Sequence, residues 1–169
     1  MPKVRAIPFP PESRLHAGLS GASFHDAFEA DLRDERLSAT QIAVRLLGAT
    51  PDWVEALMAI RNRAVALAGL RDVGRLGAVD DRPAADYVVG DRLSLFRIVA
   101  MEPDELVLAA DDRHLDSRVS FLRRRRDGRA SYAICTRVTT HNALGRLYMA
   151  PVGPVHALIV RRAMATLDL

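Results

Sequence analysis

Four residues in the last third of the chain could carry proton chemistry: Asp112, His114, Asp116 and His141. Histidine titrates near neutral pH and a neighbouring carboxylate shifts that titration, so such a group can pass protons. Two imidazoles and a carboxylate can also hold a divalent metal. Whether the four meet depends on how DDRHLDSRVSFLRR pairs with ASYAICTRVTTHN. A turn centred on Asp127-Gly128 with an even number of loop residues sets Phe121 opposite Ile134, Val119 opposite Thr136, Ser117 opposite Val138 and Leu115 opposite Thr140. The apolar residues of both strands then share one face, whereas a one-residue slip would set apolar against polar throughout. On the other face His114 stands opposite His141 and Asp116 opposite Thr139, with Asp112 two residues from His114. Opposed Cβ atoms lie ~5 Å apart, close enough to share hydrogen bonds. Three readings are open: proton transfer, metal ligation, and a solvated strand face whose His/Asp pairs only hold the register. The same register opposes Arg118 to Arg137, with Asp116, diagonal to Arg137, as the expected counter-ion.

The elements that must position these groups show in the periodicity. Residues 1–13 hold Pro2, Pro8, Pro10 and Pro11 and read as an extended arm, followed by a single domain over 14–169. From Asp26 to Arg33, Phe28, Ala30 and Leu32 alternate with Glu29, Asp31 and Arg33, the pattern of a strand with charged residues on its other face. Ser38 caps a short helix, ATQIAVRLLG, closed by Gly48. Thr50, Pro51 and Asp52 open a second helix, on which Trp53, Leu57, Ile60, Ala64 and Leu67 make one apolar stripe. Residues 71–86, with Gly74, Gly77 and Pro83, read as a loop. Strands are expected at 87–90, 93–101 and 105–110, then the two long strands about Asp127-Gly128. Asn142 caps a C-terminal helix that Gly153-Pro154 interrupts before VHALIVRRAMATL. The order is strand, two helices, a run of antiparallel strands and a last helix, an α+β fold whose curved sheet needs that helix as cover.

Composition narrows the function. The chain has 169 residues, 49% hydrophobic and 27% charged, enough to bury a core without disulfide or metal. Of 24 basic residues, all but Lys3 are arginine, which lifts the isoelectric point to about 9.6 at a net charge of only +3. The acids are spread along the chain, so no nucleic-acid surface is expected. The run Arg123–Arg126 reads as a solvated hairpin tip, with a phosphate or anionic surface as the other reading. No uninterrupted apolar run approaches ~20 residues, no secretory signal is evident, and a cytoplasmic protein without cofactor is expected. Cys135 has no CxxC partner and no activating neighbour and reads as inert. His16 and His25 carry no pattern, His156 reads as a partly buried histidine, and Arg61-Asn62 as a helix-to-sheet anchor. Phosphate-binding, dinucleotide, serine-elbow and HExxH motifs are absent.

DDRHLDSRVS, THNALGRLY and PVGPVHALIV, in that order, resemble an uncharacterised bacterial domain-of-unknown-function family. Asp52-Trp53-Val54, Leu57 to Asn62 and Val89-Gly90-Asp91 fit its second helix and first following strand. That family looks like a branch of the helix-grip superfamily, the START-like fold of polyketide cyclases. The resemblance implies two short helices after the first strand, then six strands, and a curved antiparallel sheet wrapped around a long C-terminal helix with a ligand cavity between them. It implies no reaction, because that superfamily holds carriers, cyclases, hydrolases and plain binders. The chain departs from the pattern at Ser117, where a large apolar residue is common.

Three functions are expected in order. The first is binding of a small hydrophobic or aromatic molecule in a cavity lined by Leu115, Ser117, Val119, Ile134 and Val138 and closed by Tyr148 and Val155. The second is a cyclase- or hydrolase-type enzyme using His114, His141, Asp112 and Asp116. That group lies on the face opposite the apolar lining unless a bulge re-aims it. The third is a homodimeric interaction module.

Overall fold

A computed structural model of the chain describes residues 3–67, 75–126, 128–167 and 169; for Arg61 and residues 64–67 it describes the backbone alone. The fold is α+β: one seven-stranded antiparallel sheet carries helices on one face and the N-terminal arm on the other. In chain order the strands are β1 (Arg5–Ala6), β2 (Phe24–Asp31), β3 (Arg92–Leu93), β4 (Phe96–Met101), β5 (Glu105–Asp111), β6 (Leu115–Arg126) and β7 (Arg129–Thr140). The helices are α1 (Ala39–Gly48), α2 (Asp52–Leu67) and α3 (Ala143–Thr166). Across the sheet the order is β1-β2-β7-β6-β5-β4-β3. Five strands, not six, follow the helical pair; the seventh comes from the arm, whose Arg5 and Ala6 pair with Glu29 and Phe28.

The β6–β7 ladder has the register expected from the alternation, from Leu115 opposite Thr140 to Arg126 opposite Arg129. Gly128 closes the two-residue turn at φ 76°, a conformation that L side chains adopt with strain; Asp127 lies outside the described residues. One face, here called inner, buries Phe28, Ile98, Leu106, Leu108, Phe121, Tyr132 and Ile134 against α1 and the end of α3. Side chains such as Leu106 and Leu108 contribute about 1.5–3 kcal/mol each by leaving water. Helix α1 lies over β5 and β6, whereas α3 lies over β2 and β7.

The outer face is covered by the arm. Ile7 and Phe9 pack on Ala27, Leu122, Ala133 and Cys135. Ser13 and Leu15 are buried, and two buried carboxylates tie the arm down. Glu105 accepts from Ser13 Oγ (2.8 Å), the Arg14 backbone N–H (3.1 Å) and Ser120 Oγ (2.5 Å). Glu29 accepts from Arg5, from Arg124 Nη1 (2.7 Å) and from Ser131 Oγ (2.8 Å). The charged face expected on β2 is therefore an interior one at Glu29. Burial by itself would raise the Glu29 carboxyl; hydrogen bonds from Ser131 and Arg5 and the charges of Arg124 and Arg5 outweigh it and hold the group below the ordinary carboxylate value.

Several local expectations give way. The four-arginine run is solvated only toward its tip: Arg125 and Arg126 are exposed beside Glu35 and Glu12, whereas Arg124 is buried on Glu12 and Glu29 and Arg123 pairs with Asp104. Thr50 does not cap α2; its hydroxyl donates to the Leu47 carbonyl and closes α1 instead. Among the described side chains of α2, Val54 is buried, while Trp53 (40% exposed), Leu57 and Ile60 (65%) face outward. Ala64 and Leu67, the rest of that stripe, and the Arg61 anchor lie outside the described side chains, as does Gly74 of the loop. Residues 87–90 form no strand: a turn runs from Val88 to Asp91, with Gly90 at φ 100° and the Val88 N–H on the Asp91 carboxylate. Helix α3 is not interrupted at Gly153-Pro154; it runs unbroken through Pro151 and Pro154. Both prolines sit on its exposed side, so the carbonyls of Leu147 and Ala150, which lose their i+4 donors, turn toward water. By length and composition α3 could cross a membrane, but here one side of it packs on the sheet.

Candidate functional site

The inner face carries two cross-strand rows at the end where β6 begins. One runs Asp26–Thr136–Val119–Leu108 and the next Phe24–Val138–Ser117–Ala110. Strands are ~4.8 Å apart, so each row spans ~15 Å. Helix α3 covers the β2 and β7 members, and Thr136 and Val138 are buried beneath it. Helix α1 packs over β5 and β6. Between the two helices Leu115, Ser117 and Val119 stay only half-buried, although they lie on a central strand. That strip is partly exposed surface between the two helices.

The two flanks of α3 follow from helix geometry. Tyr148 meets His114 at the start of β6, with ring centroids 5.9 Å apart and planes at 86°. On the opposite flank of α3 a Cβ at Gly153 would lie 3.3 Å from the Phe24 ring of β2. Residues spaced three or four apart share a flank, so Val152, Val155 and Ile159 fall on the Tyr148 side, where Val155 is exposed and Val152 and Ile159 are partly buried. Of the expected lining, Leu115, Ser117, Val119 and Tyr148 are partly exposed, and Val155 is 41% exposed. Val138 is buried beneath α3, and Ile134 belongs to the closed core further along β7.

The four proton-chemistry candidates do not form one cluster. The backbones of His114 and His141 are paired as expected, the His141 N–H donating to the His114 carbonyl at 2.9 Å. Their rings part. His141 Nε2 lies 3.1 Å from Asp116 Oδ2 on the half-exposed outer face. His114 is 1% exposed against Tyr148, and its Nδ1 lies 3.6 Å from Asp112 Oδ2, beyond hydrogen-bonding distance. Neither His114 ring nitrogen has a hydrogen-bond partner among the described residues. The cause is α3: Gly145 brings its first turn directly over the His114 carbonyl, so that residue is packed under the helix. Asp116 does not neutralise the opposed arginines. Arg118 forks onto Asp111, its Nη2 at 3.2 Å from Oδ2, and Arg137 Nη1 donates to the Leu15 carbonyl at 3.4 Å. Cys135 is fully buried on the outer face, and burial, with the Glu105 charge, pushes its thiol up to about 12.

A second polar group was not singled out from the sequence. His156 Nδ1 lies 3.0 Å from Asp26 Oδ2, with the Phe24 ring edge-on to the imidazole at 5.7 Å. The other Asp26 oxygen and Thr136 Oγ1 are both buried without a hydrogen-bond partner among the described residues. A signal was present: Asp26 has the same strand parity as Phe28 and Ala30, so the alternation places a carboxylate among the inward residues. Among the described residues no three His, Cys, Asp or Glu side chains gather as metal ligands.

Residues 19–163 match a family described as protein of unknown function, DUF2867. No curated protein and no solved structure matches the chain.

Proposed function

This chain belongs to the DUF2867 family, whose function is unknown, and we propose that it binds a small apolar or aromatic molecule in a trough between α3 and the sheet. The observation that carries the proposal is the half-open strip Leu115–Ser117–Val119 on a central strand whose next inward residue, Phe121, is buried in the core. Apolar surface left open inside a fold, with polar groups at one edge, is the usual composition of a small-molecule site. The strand order supports a helix-grip, START-like reading. The first long strand, β2, pairs with the last, β7; the strands between run antiparallel in succession; and the final helix lies across the inner face. The small side chain of Ser117 deepens the floor where the family commonly has a larger one.

Titration with the neutral fluorescent dye N-phenyl-1-naphthylamine tests this. Saturable binding at one site is expected, abolished by Ser117→Trp in a protein that keeps its circular dichroism. Absence of saturable binding, or binding indifferent to Ser117→Trp, would overturn it. A cyclase- or hydrolase-type role for Asp112, His114, Asp116 and His141 has less support, since Asp116 and His141 lie on the face away from the trough. Self-association has no specific observation in its favour.

A further inference from the structure

Resting on the trough reading, we infer that the ligand carries a hydrogen-bond-donating head, an alcohol, phenol or amine, on an apolar body, and that Asp26 and Thr136 receive the head. Two buried polar atoms on the inner face have no hydrogen-bond partner among the described residues: one Asp26 carboxylate oxygen and Thr136 Oγ1. They belong to directly opposed residues of β2 and β7, whose Cβ atoms stand ~5 Å apart. Thr136 is 2% exposed, and native folds rarely leave such a group unpaired unless something else completes it.

The rest of the geometry says what completes it. The His156 N–H occupies Asp26 Oδ2 at 3.0 Å, which orients the carboxylate and leaves Oδ1 as an acceptor. A carboxylate oxygen accepts and never donates while ionised, so the incoming group must bring the hydrogen. Thr136 Oγ1 can accept a second hydrogen or donate to the head's own lone pair. The next residue in the same row is Val119 of the open strip. A molecule whose head reaches under the edge of α3 therefore meets oxygen at Thr136 and Asp26 while its hydrocarbon stays over Val119 of β6. A carboxylic acid is disfavoured, because its charge would face that of Asp26.

Competition against bound N-phenyl-1-naphthylamine with three compounds of equal chain length tests this: decan-1-ol, decyl methyl ether and decanoate. Decan-1-ol should compete about tenfold better than the ether, which has no hydrogen to donate, and decanoate least well. Thr136→Val, which keeps the shape of the side chain, should reduce the alcohol's advantage to about threefold or less, and Asp26→Ala should abolish it. Equal competition by alcohol and ether in the unaltered protein would overturn the head site while leaving the trough in place. An alcohol preference unchanged in both variants would overturn it as well. Failure of the dye to bind at all would remove both readings together. The comparison among ligands needs no variant, so a folding defect in Asp26→Ala does not spare the inference.

Discussion

Gly145 and Gly18 both lack room for a methyl group, yet the outcomes of filling them should differ. A Cβ on Gly145 would lie 2.1 Å from the His114 carbonyl oxygen, a backbone atom held by the β6–β7 ladder. Gly145→Ala should cost about 1–3 kcal/mol or more despite its better helix propensity. A Cβ on Gly18 would meet the far end of the Arg137 side chain, which can swing away and lose one long bond to the Leu15 carbonyl. Gly18→Ala should cost under about 1 kcal/mol. Urea midpoints check the pair, and the opposite ranking would contradict the packing of α3 on His114. Glu29 gives a pH prediction. Its carboxyl is depressed in the folded chain, so its contribution is fully present above the unfolded value of about 4.3 and is lost as pH falls through the lower folded one. Urea unfolding at pH 7 and pH 3 should show a larger acid loss for the unaltered chain than for Glu29→Gln. At this scale the sequence was readable where parity decides: two twelve-residue strands of consistent alternation specify every pair from Leu115–Thr140 to Arg126–Arg129. It was unreadable where a distant element decides. Nothing local says that α3 buries the His114 ring and leaves His141 to Asp116.

Helix α1 occupies the span its sequence signals, because its stop and start are both local. Ser38 Oγ accepts from the Gln41 N–H at 3.2 Å, and Gln41 Oε1 accepts from the Ser38 N–H at 2.8 Å. Removing this reciprocal cap with Ser38→Ala should lower stability by about 1 kcal/mol, read as a fall in thermal midpoint. An unchanged midpoint would mean that packing of Ile42 and Leu46 alone holds the helix end. In α3 the same kind of reading fails. Gly153-Pro154 looks like a stop, but a proline ends a helix only if the freed carbonyl cannot reach water and the ring cannot be accommodated. Here both prolines face out, and Gly145, Gly153, Val160 and Met164 are buried on the other side. The outward side from Leu144 to Leu158 is apolar as well, with Leu147 at 72% exposure, so amphipathic contrast could not have revealed which side meets the sheet. The same ambiguity explains α2, whose regular stripe of Trp53, Leu57 and Ile60 is its exposed side.

For the whole molecule the arm decides whether the sheet has one buried face or two. The α+β order and the long C-terminal helix were legible because apolar period changes from two to between three and four along the chain. The cover on the outer face was not, because prolines and charges in residues 1–15 resemble a loose terminus until Glu29 and Glu105 are seen to be buried. Removing residues 1–15 should leave Glu105, Arg124 and Glu29 without their arm partners and cost about 3–5 kcal/mol. A truncated chain with an unaltered unfolding midpoint would show that the arm merely rests on the sheet. Cys135 lies under that arm, packed with Ala27, Leu122 and Ala133, and is the chain's single cysteine. Its alkylation by a maleimide is therefore a stopwatch for lifting of the N-terminal segment: faster labelling than global unfolding allows would time that one hinge in the intact protein.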